Sequence, residues 1–203
     1  YGYLLPMGPF FALGQAVGLP VWVVQRLWWS LLLLLAFWGD LRLAGRLGIG
    51  TEGSRIIAGL AFALSPRTIT ELGGISVELW PSAMAPWVLV PLVSARRGRE
   101  RSAAARSALA VAAAGGVNAV AAGAVLPLPA LWLALRPRGT GQGVRPGRLA
   151  AWWAGCVVLA VAWWLGPLLL LGRYSPPFLD WIESAAITTS TATPANALRG
   201  VSH

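Results

Sequence analysis

The chain has 203 residues, of which 57% are hydrophobic and only 11% are charged, and it carries a formal net charge of +9. An ordinary soluble domain has roughly 25% charged residues, so this composition excludes a water-facing surface of the usual kind. All 16 basic residues are arginines, and they lie between long apolar runs. They form no basic patch on a polar surface, so we expect no nucleic-acid partner.

Motifs for common enzyme chemistry are absent from the sequence. The single cysteine, Cys156, excludes a disulfide framework and a multi-cysteine metal site. Phosphate-binding loops of the GxxxxGK[ST] type, HExxH and GxSxG do not occur. We therefore predict no metal site; outward carboxylates could still hold a divalent cation, but no spacing is diagnostic of one.

Apolar segments follow one another along the whole chain, and about 20 apolar residues span a bilayer. The pattern predicts an all-α, polytopic transmembrane helical bundle, a single region over 1–203 with about six crossings. The expected crossings are 21–39, 56–66, 80–95, 107–117, 119–135 and 149–171, and a polar tail follows over 172–203. The 29 apolar residues of 107–135 are long for one crossing, so we expect a hairpin of two short helices turning near 115–118.

Arginines between these segments predict the orientation. The stretches 40–55, 96–106 and 136–148 hold twelve of the 16 arginines, and short cytoplasmic loops are enriched in Lys and Arg. We expect these stretches on the inner face, where a cytoplasmic protein could also dock. The N-terminus, the stretch 67–79 and the tail then face outward, across a plasma membrane crossed several times.

Candidate site residues are the polar groups on the outward side. Past the last crossing, Arg173, Tyr174, Asp180, Trp181 and Glu183 crowd together, and Asp180 and Glu183 would share a helix face. Rings and carboxylates of this kind bind sugars, and a carboxylate can act as a general base. An interfacial aromatic belt with a solvated acidic loop explains the same pattern.

Other outward polar residues carry the same two interpretations. Glu71 and Glu78 are sugar-binding candidates or solvated loop acids. Arg26 lies inside the first predicted crossing, where it either binds a phosphate or extends its side chain to the interface. Pro66 is expected to break the short apolar segment that starts at Ile56, and Arg67, directly after it, is a candidate of the same kind as Arg26. His203, the single histidine, says little alone.

Several stretches together resemble a known family. They are, in chain order, YGYLLPMGPF (1–10), VVQRLWW (23–29), RLAGRLGI (42–49), LSPR (64–67), GGVN (115–118) and the stretch 173–184. The ordered set is similar to the membrane region of the actinobacterial α-(1→3)-arabinofuranosyltransferases, and the similarity covers essentially the whole chain.

The resemblance implies a type-C glycosyltransferase that moves arabinofuranose from a polyprenyl-phosphate donor to cell-wall arabinan, with its active site facing the periplasm or cell wall. It assigns Glu183 and Asp180 to the base or to sugar hydroxyls. It assigns Arg26, Arg67 and Arg173 to the leaving phosphate.

One departure from the class pattern limits these assignments. Enzymes of this class usually carry an essential acid in the first outward loop, which we expect upstream of Tyr1. We therefore expect a fragment that is inactive by itself. The alternatives are a type-C transferase for another polyprenyl-phosphate sugar such as mannose, or a transporter or lipid flippase, which would show repeats and broken helices.

Overall fold

A computed structural model describes residues 5–115, 119–135 and 143–174, and this described part is helical throughout. Its helices are α1 (Met7–Ala16), α2 (Val21–Leu47), α3 (Glu52–Ala63), α4 (Pro66–Gly74), α5 (Leu79–Val93), α6 (Glu100–Ala114), α7 (Ala119–Ala124), α8 (Pro127–Leu135) and α9 (Pro146–Tyr174), with a 3₁₀ turn at Ser76–Glu78. The all-α prediction is confirmed. The chain divides into two units: the first, 1–165, contains α1 to α8 and most of α9, and the second, 166–203, begins within α9.

The central helix, α2, buries one stripe and exposes the rest. The buried residues are Val24, Trp28, Leu32, Ala36 and Gly39, spaced three or four apart as one helix face requires. Large apolar side chains such as Leu34 and Trp38 remain exposed. Apolar residues on both the packed and the exposed faces are typical of a helix whose solvent is lipid.

Helix α5 runs beside α2 in the same direction. The ring of Trp80 stacks on that of Trp28 with centroids 5.3 Å apart, and further along Trp87 Nε1 donates to the carbonyl of Leu35 at 3.0 Å. The approach is close because Gly39 has no side chain: a Cβ there would lie 2.7 Å from Trp87 Nε1. Helix α3 returns antiparallel to α2, with Gly59 against Phe37.

A second core joins α5, α6 and α9. Ser107 is fully buried; its hydroxyl donates to the Val88 carbonyl at 2.7 Å and accepts from Trp153 Nε1 at 3.0 Å. Trp80 Nε1 donates to the Ala113 carbonyl. These pairs make α6 antiparallel to α5, and one hydroxyl links three helices.

Several helices extend beyond the predicted crossings. Helix α2 continues past Gly39 to Leu47, where Gly48 ends it in a left-handed conformation with φ 70°. The outward stretch 67–79 and part of the basic stretch 96–106, both predicted without helices, are helical as α4 and the start of α6. The expected turn near 115–118 coincides with the end of α6 at Ala114, while residues 116–118 lie outside the described part.

Three helical segments of the described part are long and apolar enough to cross a membrane: Val21–Leu47, Ser76–Val93 and Pro146–Tyr174. The other predicted crossings fall on shorter helices, α3, α6, α7 and α8. The fold is therefore that of a membrane protein, and the number of six crossings stays a prediction.

Arginines of the inner stretches gather at one end of the bundle. Arg46, Arg96, Arg99 and Arg106 line a common cavity, and the guanidinium of Arg101 lies 5.2 Å from the ring centroid of Trp152. These arginines come from the end of α2, from the connection after α5 and from α6, and we call this part of the bundle the arginine end.

Candidate functional site

The break between α3 and α4 is the first feature of the candidate site. Ser65 caps α4: its hydroxyl accepts from the Thr68 backbone N–H at 3.4 Å and bonds the Thr68 hydroxyl at 2.9 Å. Pro66 follows at the first helical position, where its missing N–H costs nothing. The predicted interruption at Pro66 is thus confirmed, and it begins a new helix.

This break lies level with the middle of α2. Phe62, at the end of α3, and Thr68, at the start of α4, line a cavity together with Leu32 and Ala36 of α2. Those α2 residues are roughly 17 and 22 Å along the axis from Val21, at 1.5 Å per residue. Non-helical backbone within a membrane-spanning region is tolerated where it lines a protein-walled cavity.

The cavity has a volume of about 130 Å³ and mixed walls. Its polar lining residues are Ser65, Arg67, Thr68 and Ser82. The remaining walls come from α2, the end of α3 and the start of α5, and they are apolar. We call it the Arg67 cavity. A single cation among hydroxyls, with apolar walls beside it, suits a ligand that has both an anionic and an apolar part.

Arg67 is paired within its own helix. Its Nε lies 3.3 Å from Glu71 Oε1, one turn along α4, and the two side chains are 74% and 30% exposed. The pairing uses Nε, so the two terminal guanidinium nitrogens stay available. Glu71 Oε2 is buried and has no hydrogen-bond partner among the described residues. The structure brings these two predicted site residues together, and both belong to the described part of the chain.

Glu78 and Arg26 are not among the residues that line the Arg67 cavity. Glu78 belongs to the 3₁₀ turn, where the neighbouring Ser76 hydroxyl accepts from Trp28 Nε1 at 3.3 Å. Arg26 is exposed, and its guanidinium lies 5.4 Å from the ring centroid of Trp29. It does not line the Arg67 cavity, and six helical residues place it roughly 9 Å from Leu32 along the α2 axis.

Arg173 and Tyr174 end helix α9 in the second unit, and both are exposed. Asp180, Trp181, Glu183 and His203 lie outside the described residues. Within the described part, no three His, Cys, Asp or Glu side chains come close enough to hold a metal ion.

Sequence reasoning overlooked three hydroxyl residues of the cavity: Ser65, Thr68 and Ser82. A signal for Ser65 was present, because Ser followed by Pro is a typical start of a helix. Ser82 carried no such signal, since its position depends on how α5 packs against α2 and α4.

Acidic Glu100 was also overlooked, in the densest charge run. It is 3% exposed, and backbone N–H groups of Glu100, Gly98 and Arg145, with the positive charge of Arg148, lower the pKa of its carboxyl despite desolvation. Glu100 therefore holds the start of α6 against the start of α9 at the arginine end.

An apolar helical bundle with a polar cavity beside a broken helix is a membrane-embedded domain. Residues 1–203 match the family described as alpha-(1->3)-arabinofuranosyltransferase, N-terminal GT-C domain. The chain belongs to this family.

Relatives and solved structures agree with that membership. The chain is 52% identical over 206 residues to the alpha-(1->3)-arabinofuranosyltransferase of Mycolicibacterium smegmatis and 47% identical over 205 residues to that of Mycobacterium tuberculosis. Each alignment covers 98% of this chain and 14% of the relative. The cryo-EM structure of arabinofuranosyltransferase AftD from Mycobacteria superposes with a TM-score of 0.81 at 48% identity, over 99% of this chain and 15% of that one. A mutant form gives 0.80 at 53% identity, over 90% and 14%.

Proposed function

We propose that the chain is the membrane part of an inverting glycosyltransferase. It moves arabinofuranose from a polyprenyl-phosphate donor to cell-wall arabinan in α-1,3 linkage. Family membership supports the transferase class, and the observation that carries the proposal is the Arg67 cavity, with one cation, three hydroxyls and apolar walls at a helix break.

Arg67 is the group that we assign to the donor phosphate. A guanidinium matches phosphate oxygens with two parallel N–H donors, and the pairing of its Nε with Glu71 orients the terminal nitrogens. The start of α4 adds backbone N–H groups and the positive end of a helix dipole. Charge that builds up on the leaving phosphate would be stabilised here, and the apolar walls would receive the first part of the lipid chain.

Glu71 has two roles in this account. One oxygen orients Arg67, and the other, buried and without a partner among the described residues, accepts a hydrogen bond from a sugar hydroxyl. A buried acceptor without a donor is costly, so a hydroxyl at this position would strengthen donor binding. Glu78 remains a second candidate for sugar hydroxyls.

Catalysis needs a carboxylate that deprotonates the attacking acceptor hydroxyl, while the polyprenyl phosphate departs from the opposite face of the anomeric carbon. We assign this role to Glu183, or to the upstream acid that the family resemblance implies. Asp180, Trp181 and His203 then contact the acceptor. Arg173, Tyr174 and Arg26 contact the phosphate or the interface.

The proposed topology places the arginine end in the cytoplasm and the cavity's outer opening towards the cell wall. Six crossings then follow as α2, α3 continued by α4, α5, α6, α7 continued by α8, and α9. The broken second crossing puts Arg67 at depth, where a charged residue needs a partner or a watery cavity. A cytoplasmic protein partner would meet the arginine end.

A transporter or flippase is the second candidate, because broken helices beside a cavity are also typical of transporters. A type-C transferase for a hexose such as mannose would use the same phosphate contacts. The fate of the donor lipid separates a transporter from a transferase. A transporter moves the lipid across the bilayer intact, whereas a transferase cleaves its sugar–phosphate bond.

The test uses the full-length protein that contains this chain. Glu183→Gln should cut transfer from polyprenyl-phosphate arabinose to an arabinan acceptor by orders of magnitude, with donor binding retained. A loss below about tenfold, within the range of one ordinary interaction, would make Glu183 a supporting residue. Proteoliposomes that move labelled donor without cleaving it would favour the transporter.

A further inference from the structure

A second cavity lies at the arginine end, ten residues further along α2 than the Arg67 cavity, as Ala36 lines one and Arg46 the other. It has a volume of about 200 Å³ and is lined by four arginines, Arg46, Arg96, Arg99 and Arg106, and by Ser94 and Ser102. The arginines come from α2, the connection after α5, and α6. Three separate segments therefore aim positive charge at one cavity.

These four charges have no acidic counterpart at the cavity. No carboxylate is among its lining residues. The nearby acid, Glu100, directs its carboxylate to backbone N–H groups. Like charges around one concave surface raise its potential and concentrate anions there.

Ser94 gives an independent sign of a missing ligand. Its hydroxyl oxygen is buried and has no hydrogen-bond partner in the described part of the chain, although it follows directly after α5 and lines the cavity. Buried hydroxyls are nearly always paired, and a group bound in the cavity would supply the partner that this one lacks.

The first turn of α6 adds further donors. Its N-cap residue, Arg99, makes no side-chain capping bond, and Ser102 and Ala103 of the first turn line the cavity. The Glu100 N–H already faces the carboxylate of its own side chain, and the other N–H groups at the start of this 15-residue helix favour a further anion. Arg106 Nη2 donates to Ser102 Oγ at 3.1 Å, which holds that guanidinium at the rim.

We propose that this cavity binds a phosphate group, with the headgroup phosphate of an anionic phospholipid as its source. The lining supplies guanidinium forks, a hydroxyl and helix N–H groups, a set suited to phosphate oxygens. The lipid source is favoured because the cavity lies where the apolar helices α2 and α5 end, at the depth of headgroups. The site is independent of the donor phosphate proposed for Arg67.

Chemical footprinting of the unmodified full-length protein in detergent tests the proposal without any variant. Phenylglyoxal reacts with free guanidinium groups, and mass spectrometry locates the products. Dihexanoyl phosphatidylglycerol should protect Arg46, Arg96 and Arg99 and leave Arg97 reactive, because Arg97 is exposed in the same connection and does not line the cavity. Dihexanoyl phosphatidylcholine, whose headgroup is neutral overall, should protect several times less.

Comparison with inorganic phosphate distinguishes a lipid headgroup from free phosphate as the source of the bound phosphate group. Protection by phosphatidylglycerol alone supports a lipid site, and equal protection by inorganic phosphate supports the phosphate chemistry with a free phosphate as its source. The proposal is overturned if neither protects, if Arg97 is protected equally, or if phosphatidylcholine protects as well as phosphatidylglycerol. The proposal would also be overturned if a co-purifying acidic protein protects these arginines and neither phosphatidylglycerol nor inorganic phosphate displaces that protein.

Adjacent arginines supply the matched variants. Arg96→Gln should weaken phosphatidylglycerol binding by about tenfold, the loss of roughly one charge-assisted hydrogen bond, while Arg97→Gln changes it less than about twofold. Equal weakening by both variants would show a diffuse charge effect and contradict a built site.

Discussion

Arg67 and Glu71 form an ion pair one helical turn apart, at 3.3 Å, beside a cavity at the break between α3 and α4. The pair is formed within α4 itself, so it needs no distant contact to assemble. The second carboxylate oxygen of Glu71, Oε2, is buried and has no hydrogen-bond partner among the described residues. In our account the pair presents the guanidinium to a phosphate and the free oxygen to a sugar hydroxyl.

Glu71→Gln tests the positioning role. Exposed i,i+4 pairs contribute little to stability, about 0.3–0.5 kcal/mol, so the variant should unfold within a few degrees of the parent. Donor KM should rise by roughly tenfold, because Arg67 loses its orienting partner and the sugar loses an acceptor, while kcat changes less. The measurement is steady-state transfer with the full-length protein.

Glu52→Gln is the matched control for that experiment, since Glu52 is exposed at the start of α3. It should leave KM unchanged. A lowered unfolding temperature together with an unchanged KM for Glu71→Gln would assign Glu71 to folding and contradict the positioning role.

Substitution of Ser107 tests the packing of α5, α6 and α9 most directly. Its hydroxyl links the Val88 carbonyl to Trp153 Nε1 in a fully buried position. Ser107→Ala leaves the buried Trp153 Nε1 without its acceptor and removes a second donor from the Val88 carbonyl, which costs about 1–3 kcal/mol. Thermal unfolding in detergent should show the loss, and Ser102→Ala, at an exposed position, should not. Equal effects of the two changes would mean that the three-helix link is weak.

The lowered pKa of the Glu100 carboxyl makes the stability of the fold depend on pH. The fold lowers the pKa of Glu100 below its ordinary value of 4.5, so it favours the ionised form. The stabilisation is present above that ordinary value and is lost as pH falls through the lowered one. The difference in unfolding temperature between the parent and Glu100→Gln should be largest near neutral pH and shrink below about pH 4.5. A difference that grows as pH falls would contradict the assignment.

The sequence predicted those features that rest on local chemistry. Composition indicated a helical membrane protein, and Pro66 marked a helix break that the structure contains. Arginine counting placed Arg46, Arg96, Arg99 and Arg106 on one side, and they share one cavity. These signals are local because apolar length, proline geometry and charge act without reference to distant residues.

Features that depend on packing were not predicted. Helix α2 continues through Asp40 and Arg42 because Arg42 stacks on Trp38 and on Trp87 of α5, 4.5 and 5.5 Å from the two ring centroids. Helix α4 was not predicted because its sequence is polar. One face of this helix carries both Arg67 and Glu71. Nothing in an alanine-rich run distinguished Ser107, whose partners lie 19 and 46 residues away.

Transfer by an Arg67 variant tests the central claim most directly. In the full-length protein, Arg67→Gln should lower kcat/KM for transfer from polyprenyl-phosphate arabinose to arabinan by roughly a hundredfold, the usual effect of removing one group that stabilises developing charge. Arg55→Gln should retain activity, because Arg55 is a half-buried arginine at the other end of α3 whose Nε donates to the Ile49 carbonyl. If Arg67→Gln transfers arabinose as fast as Arg55→Gln, the Arg67 cavity is not the phosphate site.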